Sequence, residues 1–212
     1  MIKKIIKENW NYLVVILFLI LLFHFVINSS YSDIIIKFDN TFFESINDLR
    51  SDLLTNIFRV ITFFGEIYIP ALIIICLFIF KKNKWYSILQ TLSYAFAGII
   101  TYLSKLLIAR PRPLTSLINM PSTYSFPSGH TLTSIVFYIM LTYLLTFNSK
   151  KEVRNSSIIL ATIFSLFISF SRPYLGVHYL SDILGGILLS IPILLMIINI
   201  IDKNFKKKIS GK

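Results

Sequence analysis

Apolar residues in this chain run in long blocks, without the 3.6-residue spacing of an amphipathic helix or the alternation of a half-buried strand. Blocks of this kind suit a bilayer, whose hydrocarbon core of about 30 Å is crossed by roughly 20 apolar residues in a helix. They predict spans near residues 12–28, 60–80, 86–109, 131–147, 157–171 and 183–201, the fifth short and open to extension past Ser171. No connection is long enough to fold alone, the longest being residues 29–56. The expected fold is all-α, an integral membrane bundle of six transmembrane helices forming a single domain over residues 1–212, without internal repeats or flexible linkers. Composition agrees, because 55% hydrophobic residues against 15% charged ones is a membrane balance.

Charge sets the expected orientation, since Lys and Arg near span ends stay on the cytoplasmic side. Lys3, Lys4 and Lys7 precede the first span, Lys81, Lys82 and Lys84 follow the second, and Lys150, Lys151 and Arg154 follow the fourth. Lys203, Lys206, Lys207, Lys208 and Lys212 close the chain, so all four clusters fall on one side of a six-span plan. The 29–56 connection instead carries Asp33, Asp39, Glu44, Asp48 and Asp52 against Lys37 and Arg50. Both termini are thus expected to be cytoplasmic in a multi-pass protein of the cytoplasmic (inner) membrane. The net charge of +11 is absorbed by these topological signals, which argues against nucleic acid as a partner. The C-terminal lysines suit contact with anionic headgroups. The first block follows a basic start, but its length and the lack of a small-residue cleavage site before Asp33 favour an uncleaved anchor. Cys76 sits alone in an apolar run, cannot form an intramolecular disulfide and reads as packing.

Two short outward connections break the charge rule, and ionisable groups at a bilayer edge mark functional sites. One runs from Lys105 through Arg110, Pro111, Arg112 and Pro113 to Pro127-Ser128-Gly129-His130, and the other from Ser171-Arg172-Pro173 through His178 to Asp182. Lys105 either snorkels to the interface or shares a face with Arg112, seven residues on, until the prolines break the helix. Arg110 lies off that face and reads as an interface or headgroup contact. The Pro-Ser-Gly-His stretch precedes the fourth span, so its amides sit near a helix N-terminus, where anions bind. There Gly129 permits close backbone approach, while Ser128 either caps the helix or donates to a phosphate oxygen. His178 and Asp182, spaced i, i+4, share a face, so the carboxylate can keep one imidazole nitrogen protonated and leave the other free to attack. Arg172 precedes a proline, which predicts that the fifth span ends near it and lets its guanidinium fork onto two phosphate oxygens. Three cations, two histidines, one carboxylate and helix amides on one face suit phosphoryl transfer. No metal site is expected, because Asp182 is the one carboxylate in these two connections and cations already serve the phosphate.

These residues resemble the type-2 phosphatidic acid phosphatase superfamily, whose signature is Lys-x6-Arg-Pro, Pro-Ser-Gly-His and Ser-Arg-x5-His-x3-Asp. All three parts match, at Lys105 to Pro113, Pro127 to His130 and Ser171 to Asp182. The resemblance implies a lipid phosphatase without metal or other cofactor, in which His178 is phosphorylated, Asp182 orients it and His130 protonates the departing oxygen. Lys105, Arg112, Arg172, Ser128 and the Gly129 amide are the implied phosphate ligands. Pro173 departs from the family pattern, which has an aliphatic residue there. Six spans separate the chain from the soluble vanadium haloperoxidases that share the site pattern.

Within the superfamily the short loops and Ser125-Phe-Pro-Ser-Gly-His130 look like small bacterial phosphatidylglycerophosphate phosphatases, so the implied substrate is that lipid or phosphatidate. Undecaprenyl pyrophosphate phosphatases look similar, but some carry Asp where this chain has Gly129. The orientation places the site on the extracytoplasmic face, with a lipid phosphate and the bilayer as partners. A non-enzymatic lipid carrier and a phosphotransferase are the competing classes. The first leaves the His178–Asp182 spacing unexplained, and the second differs only in the acceptor. Of the remaining polar residues, His24 reads as packing, Glu66 as facing the interface or a basic partner, and Gly185-Gly186 as close helix packing. The 29–56 segment, with Ile34, Ile35, Ile36, Phe42, Phe43 and Ile46 among its acids, suits an interfacial position that gates lipid access.

Overall fold

The structure, a computed structural model, describes residues 2–29 and 32–210. Lys212 of the last basic cluster and residues 30–31 of the 29–56 connection lie outside the described residues. Within them all regular structure is helical: α1 (Ile2–Glu8), α2 (Trp10–Asn28), α3 (Ser32–Asn47), α4 (Asp52–Phe63), α5 (Tyr68–Phe80), α6 (Trp85–Ile108), α7 (Gly129–Leu145), α8 (Lys151–Tyr174), α9 (Leu180–Asn204) and α10 (Lys206–Ser210).

Four helices, α2, α6, α8 and α9, are long and apolar enough to cross a membrane, and α4 with α5 makes a fifth if the bent pair is one span. The remaining expected span is α7, a shorter apolar helix of 17 residues, about 26 Å long at 1.5 Å per residue. This helix is the hub, packed against α6, α8 and α9. Leu132, Val136 and Met140 recur every fourth residue along it and are fully buried, as is Phe137. At the periphery α2 turns Trp10, Leu17, Phe18 and Phe25 outward, the side chains a bilayer would cover. Gly185 and Gly186 of α9 allow the close approach: an added Cβ would stand 2.2 Å from the Phe126 ring at the first and 3.0 Å from Thr131 at the second.

Three local departures from the sequence expectation shape the site. The expected span over residues 60–80 is two helices bent by 41°. α4 starts at Asp52, where Ser51 Oγ accepts from Leu54 N at 3.3 Å, and the chain breaks over residues 64–67. Gly65 lies in the break, and the Tyr138 hydroxyl holds the freed Phe64 carbonyl at 2.6 Å. Second, Arg172 keeps helical geometry although a proline follows it: α8 runs through Pro173 and ends at Tyr174, near the arginine as expected. The turn survives the proline because Leu175 N donates to Ser171 O at 2.9 Å, Val177 N to Arg172 O at 3.2 Å and Arg50 to Tyr174 O at 2.9 Å. Third, the 29–56 connection is largely helical, with Asp39 of α3 buried while Ile34, Ile36 and Phe38 are exposed.

α6 ends where Ala109 adopts left-handed geometry (φ 50°), and Pro111 and Pro113 follow. The chain after them packs on the α8–α9 turn, where Leu117 N donates to Leu175 O at 2.9 Å. Gly176 (φ 75°) is required there, since a Cβ would stand 2.2 Å from Thr115 O.

Candidate active site

His178 lies in the short connection between α8 and α9, and Asp182 in the first turn of α9. Both are almost completely buried, and Asp182 Oδ2 lies 3.3 Å from His178 Nδ1. The carboxylate is held on every side. Oδ2 accepts from Tyr179 N at 2.9 Å and from the Ser125 hydroxyl, while Oδ1 accepts from Arg110 Nη1 at 2.6 Å. With Asp182 accepting a proton on Nδ1, the lone pair of His178 belongs to Nε2. That atom faces Arg112 Nη1 at 3.1 Å, so its lone pair is engaged by the guanidinium.

Burial pushes the His178 imidazole down to about 3; the hydrogen bond and charge of Asp182 oppose this, and Arg172 and Lys105 reinforce it. The ring is therefore neutral at physiological pH, the form in which a ring nitrogen keeps a lone pair. The Arg112 guanidinium is also lowered by burial, with Asp182 acting against it. Arg110 goes the other way: burial lowers it, but Asp182 and Asp39 together outweigh that and raise it.

The first-motif cations hold the chain leading into α7. Lys105 donates to the Tyr124 carbonyl and to Ser125 O at 3.1 Å; Arg112 donates to Thr123 O at 2.6 Å, Tyr124 O at 3.3 Å and Val177 O at 2.7 Å. Ser128 caps α7, its Oγ accepting from Thr131 N at 3.4 Å, and its own amide donates to Asp182 O at 3.1 Å. Gly129 opens the helix, and the atom nearest an added Cβ there is Thr101 Cγ2 at 3.5 Å, an ordinary contact. Arg172, only 2% exposed, donates Nη1 to Thr62 Oγ1 at 2.6 Å, while its Nε is buried with no partner. A buried guanidinium N–H without an acceptor is costly, and a phosphate oxygen is the acceptor that such a group takes. Arg172 interacts electrostatically with both His178 and His130, so one cation serves both imidazoles.

His130 sits in the first turn of α7 with Nε2 3.1 Å from Glu66 Oε1, the basic partner expected for that carboxylate. Five participants were not legible as such. Arg110 is buried and not an interface residue: it bridges Asp182 and Asp39 Oδ2 (2.7 Å) and stacks on the Tyr179 ring at 4.2 Å. Asp39 comes from α3, about 140 residues away in sequence. It also accepts from Ser181 N at 2.9 Å. Ser125 lies within the Ser-Phe-Pro-Ser-Gly-His stretch, where its spacing was a usable signal. Thr62 lies in the last turn of α4 and Glu66 in the break that follows, which no periodicity announces. Among the described residues no three His, Cys, Asp or Glu side chains come together as metal ligands would.

Known proteins place this geometry in a family. The model of the PAP2 superfamily matches residues 87–206. Phosphatidylglycerophosphatase B of Bacillus subtilis (strain 168) is 29% identical over 169 residues, 76% of this chain and 79% of that protein. An undecaprenyl-diphosphatase of Sulfolobus acidocaldarius is 33% identical over 181 residues, 80% of this chain and 84% of that protein. Among solved structures, the transmembrane PAP2-type phosphatidylglycerolphosphate phosphatase from Bacillus subtilis shares the fold, with TM-score 0.79 at 23% identity over 90% of this chain and 96% of that one. Aquifex aeolicus LpxE superposes less fully, with TM-score 0.56 at 24% identity over 74% of this chain and 92% of that one. From the model match over more than half its length, the chain belongs to the PAP2 superfamily.

Proposed function

We propose that this protein is a metal-independent membrane lipid phosphatase that works through a phosphohistidine on His178. The observation that carries this reading is the buried His178–Asp182 pair, with Nε2 turned toward Arg112 and the unpartnered Nε of Arg172 close enough to be felt by the ring. A phosphate entering between Arg112 and His178 takes over the guanidinium as a ligand and exposes Nε2 to phosphorus. Lys105, Arg112, Arg172, Ser128 and the Gly129 amide spread charge over the equatorial oxygens. As the His178–phosphorus bond forms and the phosphorus–oxygen bond breaks, His130 protonates the leaving oxygen; water then attacks phosphorus and frees Nε2.

The topology that goes with this reading has α4 and α5 as one span and α7 as another, six in all. Both termini are cytoplasmic, and the site lies on the extracytoplasmic face of the cytoplasmic membrane, in one unit spanning residues 1–212. Support comes from the lysine clusters at the opposite end of the bundle from the motif loops. A cysteine introduced between residues 115 and 122 should react with an impermeant thiol reagent in intact cells. Labelling confined to lysed cells would reverse the topology.

The favoured substrate is a lipid phosphomonoester, phosphatidylglycerophosphate or phosphatidate. The similarity to an undecaprenyl-diphosphatase keeps undecaprenyl pyrophosphate as the second reading. Phosphate release from these three lipids by detergent-purified protein decides between them, and no release from any lipid phosphate would favour a carrier. Activity should persist in excess chelator and be inhibited by vanadate, which mimics pentacoordinate phosphorus. Loss on chelation with recovery on added magnesium or zinc would overturn the mechanism.

A further inference from the structure

The break between α4 and α5 is tied to the catalytic helices at each step. Thr62 Oγ1 accepts from Arg172, and the Phe64 carbonyl accepts from Tyr138 of the helix that carries His130. Gly65 lies flat against the His130 ring: an added Cβ would stand 2.6 Å from Cδ2 and 2.8 Å from Ile168 Cγ2. Glu66 then meets Nε2 at 3.1 Å. A helix interrupted in the bilayer must satisfy its freed backbone groups: here Tyr138 takes the Phe64 carbonyl, and the amides of Phe64, Gly65 and Glu66 donate to the carbonyls of Ile61, Thr62 and Phe63, which leaves the side chains of Thr62 and Glu66 to the site. The interruption therefore acts as a cradle for one imidazole.

We infer that Glu66 is a positioning residue for the general acid. This inference rests on the role given to His130 above. An ionised carboxylate only accepts hydrogen bonds, so Glu66 fixes the ring's rotamer and keeps a proton on Nε2. The proton that moves is then on Nδ1, which makes no hydrogen bond among the described residues. As Nε2 of His178 bonds to phosphorus, the electron pair of the breaking phosphorus–oxygen bond goes to the leaving oxygen, which takes the Nδ1 proton. His130 is left neutral with its remaining proton on Nε2, facing Glu66. In the second half Nδ1 accepts a proton from the attacking water, the nitrogen–phosphorus bond breaks, and its electron pair returns to His178. Glu66 neither gains nor loses a proton in the cycle. It does for His130, from Nε2, what Asp182 does for His178 from Nδ1.

The test uses full-length protein in detergent with two substrates, a short-chain phosphatidate whose alkoxide needs protonation and p-nitrophenyl phosphate whose phenolate hardly does. Glu66→Gln should lower kcat on phosphatidate by about 10- to 100-fold, part of the effect of a general acid, with KM nearly unchanged and a much smaller loss on the aryl ester. Glu66→Asp should recover part of the loss. Adding Glu66→Gln to His130→Ala should cost no more than His130→Ala alone, the non-additivity of residues that act as one unit. Equal losses on both substrates, or full additivity with His130→Ala, would reduce Glu66 to a structural part and overturn the inference. So would an unaffected Glu66→Gln variant. If instead wild type hydrolyses neither substrate, or His130→Ala shows no dependence on the leaving group, the failure lies in the catalytic reading itself.

Discussion

Among the described residues two imidazole–carboxylate pairs form, alike in chemistry and opposed in surroundings. In the His178–Asp182 pair the side chains are 2% and 0% exposed, and the carboxylate is saturated by Arg110, Ser125 and the Tyr179 amide. In the His130–Glu66 pair they are 16% and 42% exposed, and among the described residues His130 is the one side chain hydrogen-bonded to Glu66, with Arg172 acting on it electrostatically from further off. A carboxylate whose charge is already offset by a guanidinium orients its histidine without drawing a second proton onto it. A more exposed carboxylate without such a clamp leaves its imidazole freer to exchange a proton. On the proposed mechanism, surroundings thus divide the labour between the nucleophile and the acid.

Removing each histidine separates the two roles most sharply. His178→Ala should abolish phosphate release from every substrate, a loss of at least about 10⁴-fold, because no phosphoenzyme can form. His130→Ala should cost about 10²- to 10⁴-fold on phosphatidate, which expels a basic alkoxide. The loss should be distinctly smaller on a lipid pyrophosphate, whose leaving phosphate has a second pKa of about 6. Equal losses on the two substrates, with chemistry rate-limiting, would make His130 a phosphate ligand and collapse the contrast.

The His178–Asp182 pairing was largely legible in the sequence and the surroundings of His130 only in part, for a physical reason. His178 and Asp182 share one helix face, so spacing alone pairs them, and Lys105 to Arg112 is likewise local. Glu66 and His130 meet only because α4 and α5 are bent apart at residues 64–67, and the apolar run over 60–80 conceals that bend. Asp39 was hidden differently. It lies in an amphipathic helix where an acid is ordinarily solvated, and its burial depends on Arg110, which looked like an interface charge. The helical class follows from block length, whereas the count of spans turns on α7, which is short for a crossing, and on whether the bent pair is one span.

Arg110 tests what saturates the Asp182 carboxylate. Arg110→Ala leaves Asp39 and Asp182 buried without their shared cation, a change that typically costs about 3–5 kcal/mol. It should lower thermal stability in detergent along with activity. Asp39→Asn and Asp182→Asn each remove one of the two charges, and either combined with Arg110→Ala should recover part of the stability. If Arg110→Ala is stable and active, the triad does not anchor the nucleophile, and the difference between the two pairs has another source.

The smallest effect is a pH slope that belongs to the His178 side. Its folded pKa, about 3, lies below the ordinary 6.5, so an unfolded chain takes up a proton there before the folded one does. The stability contributed by the neutral buried ring is fully present above about 6.5 and is lost as pH falls from there toward about 3, at no more than about 1.4 kcal/mol per pH unit for a single proton. Chemical unfolding in detergent at a series of pH values should show this slope in wild type. It should be reduced in His178→Asn, which keeps an amide to meet Asp182 but cannot titrate. A slope unchanged by that substitution would mean that His178 takes up its proton in the folded state as readily as in the unfolded one. Burial would then not be what keeps His178 neutral.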